Sequence, residues 1–417
     1  MARHKDRAEK GYRRYTWHRA VSCAVMAAVF LLTGCGDDIG LTVPAVNPEQ
    51  LAAPIGSEQQ GQETAEQEDS APGQPEEPKA EKEQDKSDDV ENVTDSSEDD
   101  SGVVSITISA AGDVTLGNHK EQDYSYSFRQ AYDKAEDKGY FFENVLDIFD
   151  ADDMTLVNLE GPLTLSENFR EGQIYSIKGD PDYAELLNYG SIEAVSMGNN
   201  HRLDYGEEGS RDTVEAVKEA GVTYAYDDNV GIYETKGIRI GFVSVNEVYW
   251  GAGVEKTIQN GIEKLKEEEA DLILACCHWG TERENYPEDY QKSLGRKCID
   301  WGADLVIGHH PHVLQGVDRY QGKYIIYSLG NFCFGANRNP PDKDTMIFQQ
   351  TFTFRDGEKE EDEDVRIIPC SVSSVTTRND FRPTPAQGED AKRIIDRVNE
   401  YSREYGVAFA EDGTVIR

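Results

Sequence analysis

The chain has 417 residues, with 42 Lys and Arg against 80 Asp and Glu, a formal net charge of −38 and 37% hydrophobic residues. Phosphate contacts need clustered Lys and Arg, so this balance argues against nucleic acid as a partner. The charge is uneven: residues 1–34 carry +5, residues 36–102 carry −17, and residues 103–417 carry −26 together with most of the aliphatic and aromatic side chains. That last segment is long enough to bury a large core as one domain.

Residues 1–19 are basic, and residues 20–32 form the apolar run AVSCAVMAAVFLL before Thr33-Gly34-Cys35. These are the parts of a secretory signal, and the run is too short for a comfortable membrane span. Leu32-Thr33-Gly34-Cys35 resembles a bacterial lipobox, which implies cleavage after residue 34 and a lipid on Cys35. The alternatives are an uncleaved anchor and an ordinary signal peptide. Each reading puts the working chain outside the cytoplasm. Residues 35–102 are rich in Glu, Gln, Asp, Ser and Pro, cannot bury enough surface to offset their ordering entropy, and read as an extended acidic tether.

Apolar, β-branched runs follow at 103–111, 154–159, 192–197, 238–245, 271–277, 304–308 and 324–329, with helical patterns at 141–149, 181–189, 207–220, 255–269 and 287–301. Strands separated by helices predict parallel pairing through crossovers. Residues 346–354 and 365–374 read as an antiparallel hairpin, 389–404 as a helix, and 406–416 as a short terminal strand. One α/β domain with mixed sheets over 103–417 is the simplest account. Five cysteines remain after Cys23 and Cys35 (Cys276, Cys277, Cys298, Cys333 and Cys370), an odd number with no C-x-x-C spacing, which predicts buried thiols rather than disulfides or a thiolate zinc site.

Polar residues collect where the strands end. Gly112-Asp113, Asn158 with Glu160, Gly198-Asn199-Asn200-His201, His278-Trp279-Gly280, and Gly308-His309-His310-Pro311-His312 each follow an apolar run. Ligands of open α/β sheets bind beyond the carboxyl ends of strands, and these oxygen and imidazole donors suit divalent first-row metals. Taken singly, Gly-Asp is a turn, Asn200 a helix cap and His278 a core imidazole. Three histidines in four positions are harder to assign to packing. Pro311 disfavours helix at His310, so an extended segment is expected in which His310 and His312 face one ion and His309 points away.

Those motifs, with Asn158-Leu159-Glu160-Gly161-Pro162, Leu203-Asp204-Tyr205-Gly206, Glu282, the run from Ala303 to Gly316, and Tyr327-Ser328-Leu329-Gly330-Asn331-Phe332, resemble the CapA family of capsule and poly-γ-glutamate biosynthesis proteins over about 103–405. The resemblance implies a two-sheet α/β sandwich of the metallo-dependent phosphatase type, as in calcineurin-like metallophosphoesterases, with mixed sheets flanked by helices. It implies Asp113, Glu160, Asn200, His278, His310 and His312 as ligands of one or two divalent ions (manganese, iron or zinc). It implies His201 as proton donor to the leaving group, aligned by Asp204. Two positions depart from the superfamily pattern: Thr115 stands where a His is usual, and Glu160 where Asp is usual.

Two functions fit. One is a lipid-anchored, extracytoplasmic metal-dependent hydrolase of a phosphoester or of the polymer, on the cell membrane of a bacterium of Gram-positive type. The other is a non-catalytic accessory subunit of a membrane polymer synthase or export complex. Synthase subunits and an anionic polymer are the expected partners of both.

Overall fold

The structure is a computed structural model and describes residues 102–416 apart from 174, 362 and 363; the signal, Cys35 and the acidic tether up to residue 101 lie outside the described residues. Two mixed sheets face each other. The first is built around β1 (Val103–Thr115), with β2 (Met154–Leu159), β3 (Ala194–Ser196) and β4 (Thr223–Ala225) following on one side in parallel. The second holds β5 (Gly231–Thr235), β6 (Ile238–Asn246), β7 (Leu272–His278), β8 (Leu305–His309), β9 (Val317–Tyr320) and β10 (Lys323–Ile326), in spatial order β9-β10-β8-β7-β6-β5. β11 (Asn331–Phe334) then returns to pair with β1 in the first sheet. The expected hairpin forms as β12 (Asp344–Arg355) and β13 (Asp364–Ser371), with β12 antiparallel to β1 on the side away from β2.

Alternation along the strands makes the layers. Ile106, Ile108 and Ala110 of β1, Met154 and Leu156 of β2, Leu272, Leu274 and Cys276 of β7, and Leu305 and Ile307 of β8 meet in one core between the sheets. The intervening residues face outward and are covered by helices. Val157 and Val195 pack with α1 (Phe128–Lys134) and α2 (Gly206–Glu219). Ile273, Ala275 and Val306 pack with α3 (Val254–Glu267) and α4 (Asp289–Trp301). A final helix, α5 (Gly388–Ser402), buries Ile394, Ile395 and Val398 against the margin of the inner core. The result is the α/β sandwich of two mixed sheets flanked by helices that the sequence implied. The five described cysteines are buried and free. No helix of the described residues is long and apolar enough to cross a membrane.

The strand expected at 324–329 ends at Ile326, and three other local expectations differ. The run 141–149 folds as turns, ending in a single helical turn at Leu146–Phe149, because Phe141, Phe142, Val145 and Phe149 are held by tertiary packing rather than by a continuous helix. The strand expected at 192–197 shortens to Ala194–Ser196. The terminal strand reduces to isolated bridges, Arg366 with Thr414 and Phe409 with Val415, since Gly406 (φ 71°) precedes it and a turn that includes Gly413 (φ 83°) folds the segment back on itself.

Candidate metal centre

The rows of inward-facing side chains that make the inner core change character at their carboxyl ends. Met154 and Leu156 lead to Asn158 and Glu160, and Leu272, Leu274 and Cys276 lead to His278. By the same parity Leu305 and Ile307 lead to His309. β1 needs a device to do this, because Ile106, Ile108 and Ala110 would put residue 112 inward. Its register against β2 slips between Ala110–Leu156 and Asp113–Asn158, so three residues of β1 span two of β2. This one-residue bulge turns Asp113 into the space between the sheets. Gly112 and Gly308 permit the close approach there: a Cβ on Gly112 would sit 2.1 Å from the Gly330 carbonyl oxygen, and one on Gly308 2.0 Å from that of Tyr327.

Asp113 is fully buried. Its Oδ1 accepts from Asn158 Nδ2 at 2.9 Å and lies 3.2 Å from His309 Nδ1, while its Oδ2 lies 3.0 Å from His312 Nδ1. His312 Nδ1 is also 3.0 Å from Asn331 Oδ1, and its Nε2 is 3.7 Å from Glu160 Oε1. One donor atom each from Asp113, Glu160 and His312 lie within 4.8 Å of one another. Three more of the expected ligands adjoin them: His278 Nε2 is 2.9 Å from Asn200 Oδ1, and the His278 ring stands 4.8 Å from that of His310. The six residues that the family resemblance implies as ligands thus gather at one end of the sandwich.

The histidine loop is not extended. His310 (φ 97°) and His312 (φ 57°) both lie in the left-handed region on either side of Pro311, a conformation that costs on the order of 1–3 kcal/mol per residue and concentrates at functional sites. Alternation therefore does not govern this segment, and His309 does not point away as expected; it belongs to β8 and reaches Asp113. The parity of Leu305 and Ile307 carries that signal in the sequence. Asn158 and Asn331, which brace Asp113 and His312, stand in the sequence motifs but were assigned no role there.

The electrostatics favour a cation. Among the described residues, both carboxylate oxygens of Glu160, Nε2 of His309 and Nδ1 of His310 are buried without a hydrogen-bond partner, and Asp113 Oδ2 has only the His312 imidazole beside it. Leaving buried carboxylate and imidazole atoms unpaired costs on the order of 1–3 kcal/mol each, and a divalent ion is the group whose chemistry this donor set fits. Burial pushes Glu160 up to about 7, partly opposed by His312. Burial would push Asp113 up as well, yet His309 and His312 beside it outweigh that and hold it well below the usual carboxylate range. Burial lowers His310 to about 3 and His278 well below its ordinary value, which leaves both imidazoles neutral, the state in which an imidazole can coordinate. Thr115 is buried in place of the superfamily's histidine, its hydroxyl without a partner.

His201 stands at the mouth of this centre. Its Nδ1 is 2.7 Å from Asp204 Oδ2, which also accepts from the Ile177 amide at 2.8 Å. A carboxylate only accepts, so Nδ1 donates and Nε2 is left toward the centre, 3.8 Å from Glu160 Oε1. Burial opposes charge on this imidazole, but the Asp204 bond and Glu160 outweigh it and raise its pKa. A cleft of about 190 Å³ opens over His201 and His312.

Comparisons with known proteins point to one family. The capsule biosynthesis protein CapA of Bacillus anthracis is 28% identical over 254 residues, covering 55% of this chain and 60% of that protein. The PGA biosynthesis protein CapA of Bacillus subtilis is 29% identical over 251 residues, covering 55% and 63%. A Mycobacterium tuberculosis protein described as a "probable polyglutamine synthesis accessory protein" is 25% identical over 210 residues, covering 43% and 55%. The chain thus spans somewhat under two thirds of the length of these relatives. A crystal structure of a hypothetical protein from Thermus thermophilus aligns with 63% of this chain and 98% of its own, at 16% identity and a TM-score of 0.39. The family model described as "Bacterial capsule synthesis protein PGA_cap" matches residues 107–336, and the chain belongs to that family.

Proposed function

We propose that this chain is an extracytoplasmic accessory protein of capsule or poly-γ-glutamate synthesis, held to the membrane through Cys35, and that its metal centre hydrolyses a phosphoester or a bond of the polymer. The names of the relatives support the biosynthetic role. The observation that carries the hydrolase reading is the convergence of unpartnered buried donors on one point beside the His201–Asp204 pair. Asp113, Glu160 and His312, with Asn200, His278 and His310 adjoining, would hold one or two divalent ions. Such an ion supplies Lewis acidity to the scissile group and makes a nearby water more acidic. Asp204 fixes the ring of His201, so that Nε2 can deliver a proton to the departing oxygen or nitrogen.

The test is the full chain purified in detergent, stripped with chelator and reloaded with Mn²⁺, Fe²⁺ or Zn²⁺, incubated with bis(p-nitrophenyl) phosphate and, separately, with poly-γ-glutamate. Cleavage of either substrate by at least one reloaded form, and its loss on stripping, is expected. No metal-dependent cleavage of either would leave only the accessory role. Anchoring is tested by Cys35→Ala, which should move the chain from the detergent-extracted membrane fraction to an unprocessed precursor. Unchanged fractionation and mobility would mean that the Leu32–Cys35 pattern is accidental.

A further inference from the structure

Among the described residues, the cleft over the metal centre has one permanent cation. Arg283 lines it together with His201 and His312, and no described lysine or second arginine does. In a domain carrying −26 over residues 103–417, an anionic substrate needs local positive charge to approach. The two carboxylates that line the cleft make no ion pair with it. Asp342 is bound by Arg397 at 2.7 and 3.1 Å, and Glu282, although adjacent in the chain, makes no ion pair with Arg283. Among the described residues the exposed guanidinium has no hydrogen bond or ion pair of its own.

An exposed arginine is ordinarily a solvated surface group, but the backbone beneath this one is fixed. Arg283 has a left-handed φ of 66°, which a non-glycine residue adopts at a cost. Its amide donates to the Pro311 carbonyl at 2.8 Å, between His310 and His312. On the same loop Asn285 Nδ2 donates to the Leu314 carbonyl at 3.0 Å, and Gln315 Nε2 to that of Glu284 at 2.8 Å. The loop after β7 is thus tied to the histidine loop at three points, and the strained residue is the arginine that lines the cleft.

We propose that Arg283 is the anion-binding residue of this cleft, taking an oxyanion of the substrate, carboxylate or phosphate, beside the Asp113–Glu160–His312 centre. The guanidinium fork matches the two oxygens of either group. This rests on the hydrolase reading only in that the bound anion belongs to the molecule that is cut, so the test reads binding rather than turnover. Calorimetric titration of the metal-loaded full chain in detergent would use two probes, hexa-γ-glutamate and inorganic phosphate. Arg283→Gln should weaken one probe about tenfold with metal content unchanged, and Arg283→Lys should recover only part of the loss, because it keeps the charge and not the fork. Loss confined to hexa-γ-glutamate identifies a carboxylate, and loss confined to phosphate identifies a phosphate. The proposal is overturned if Arg283→Gln binds both probes as the unaltered chain does, or if the unaltered chain binds neither. Tenfold dependence on Arg283 in a chain that cleaves nothing would sustain the anion site while the hydrolase reading fails.

Discussion

His312→Ala lowers the affinity of the full chain for Mn²⁺ or Zn²⁺ at least a hundredfold and removes the thermal stabilisation that the ion gives the unaltered chain. Among the described residues His312 is the one imidazole that faces both buried carboxylates, at 3.0 Å from Asp113 and 3.7 Å from Glu160. Alanine there removes the nitrogen donor that stands beside both carboxylates. A ligand that binds only the folded state at a hundred times its Kd stabilises it by about 2.7 kcal/mol, so the melting shift is measurable. His310→Ala should follow His312→Ala. His309→Ala should also weaken the metal, by about tenfold, because it braces Asp113 from 3.2 Å as outer partners of metal ligands do. Competition against a fluorescent chelator gives the affinities, and melts with and without metal give the stabilisation. His312→Ala within threefold of the unaltered chain would dismiss the centre as a metal site. His309→Ala equal to the unaltered chain would return that residue to packing.

How much of this was legible in the sequence follows from parity. Strand runs such as Met154–Leu159 and Leu272–His278 announce themselves through apolar alternation, and the polar residues that end them are visible as motifs. Reading each inner row to its end, Leu305–Ile307–His309 included, would have placed His309 correctly. Two features escape parity because they break it. The bulge between Ala110 and Asp113 inverts the face of β1, and nothing local in Ala111-Gly112 specifies an extra residue. The turn at His310-Pro311-His312 depends on two left-handed residues held by contacts from another loop, including the Arg283 amide on the Pro311 carbonyl. Proline restricts its predecessor away from helix, and the extended region was the natural default; tertiary hydrogen bonds selected the rarer one. Asn331 is a long-range case: its pairing with Asp113 joins strands more than two hundred residues apart, which no local pattern encodes.

His201→Gln should lower metal-dependent turnover by about 10²–10⁴-fold while leaving metal content unchanged, the range removed with a positioned general acid. The amide keeps much of the imidazole's volume and polarity but cannot be protonated and handed on. Asp204→Asn should cost less, on the order of tenfold, since it leaves the ring in place and loosens only its orientation. Asp204 has a second partner, the Ile177 amide at 2.8 Å, so its replacement also loosens the wall of the cleft and should raise KM alongside the fall in kcat. The two effects separate by substrate. A leaving group that departs without a proton, p-nitrophenolate, should be cut by His201→Gln with much of the loss restored, whereas a poorly leaving alkoxide or amine should show it in full. Equal losses on both kinds of substrate would mean that His201 serves binding or metal geometry instead of proton transfer, and a fall in metal content with His201→Gln would move the residue into the ligand set beside Glu160, whose Oε1 is 3.8 Å from its Nε2.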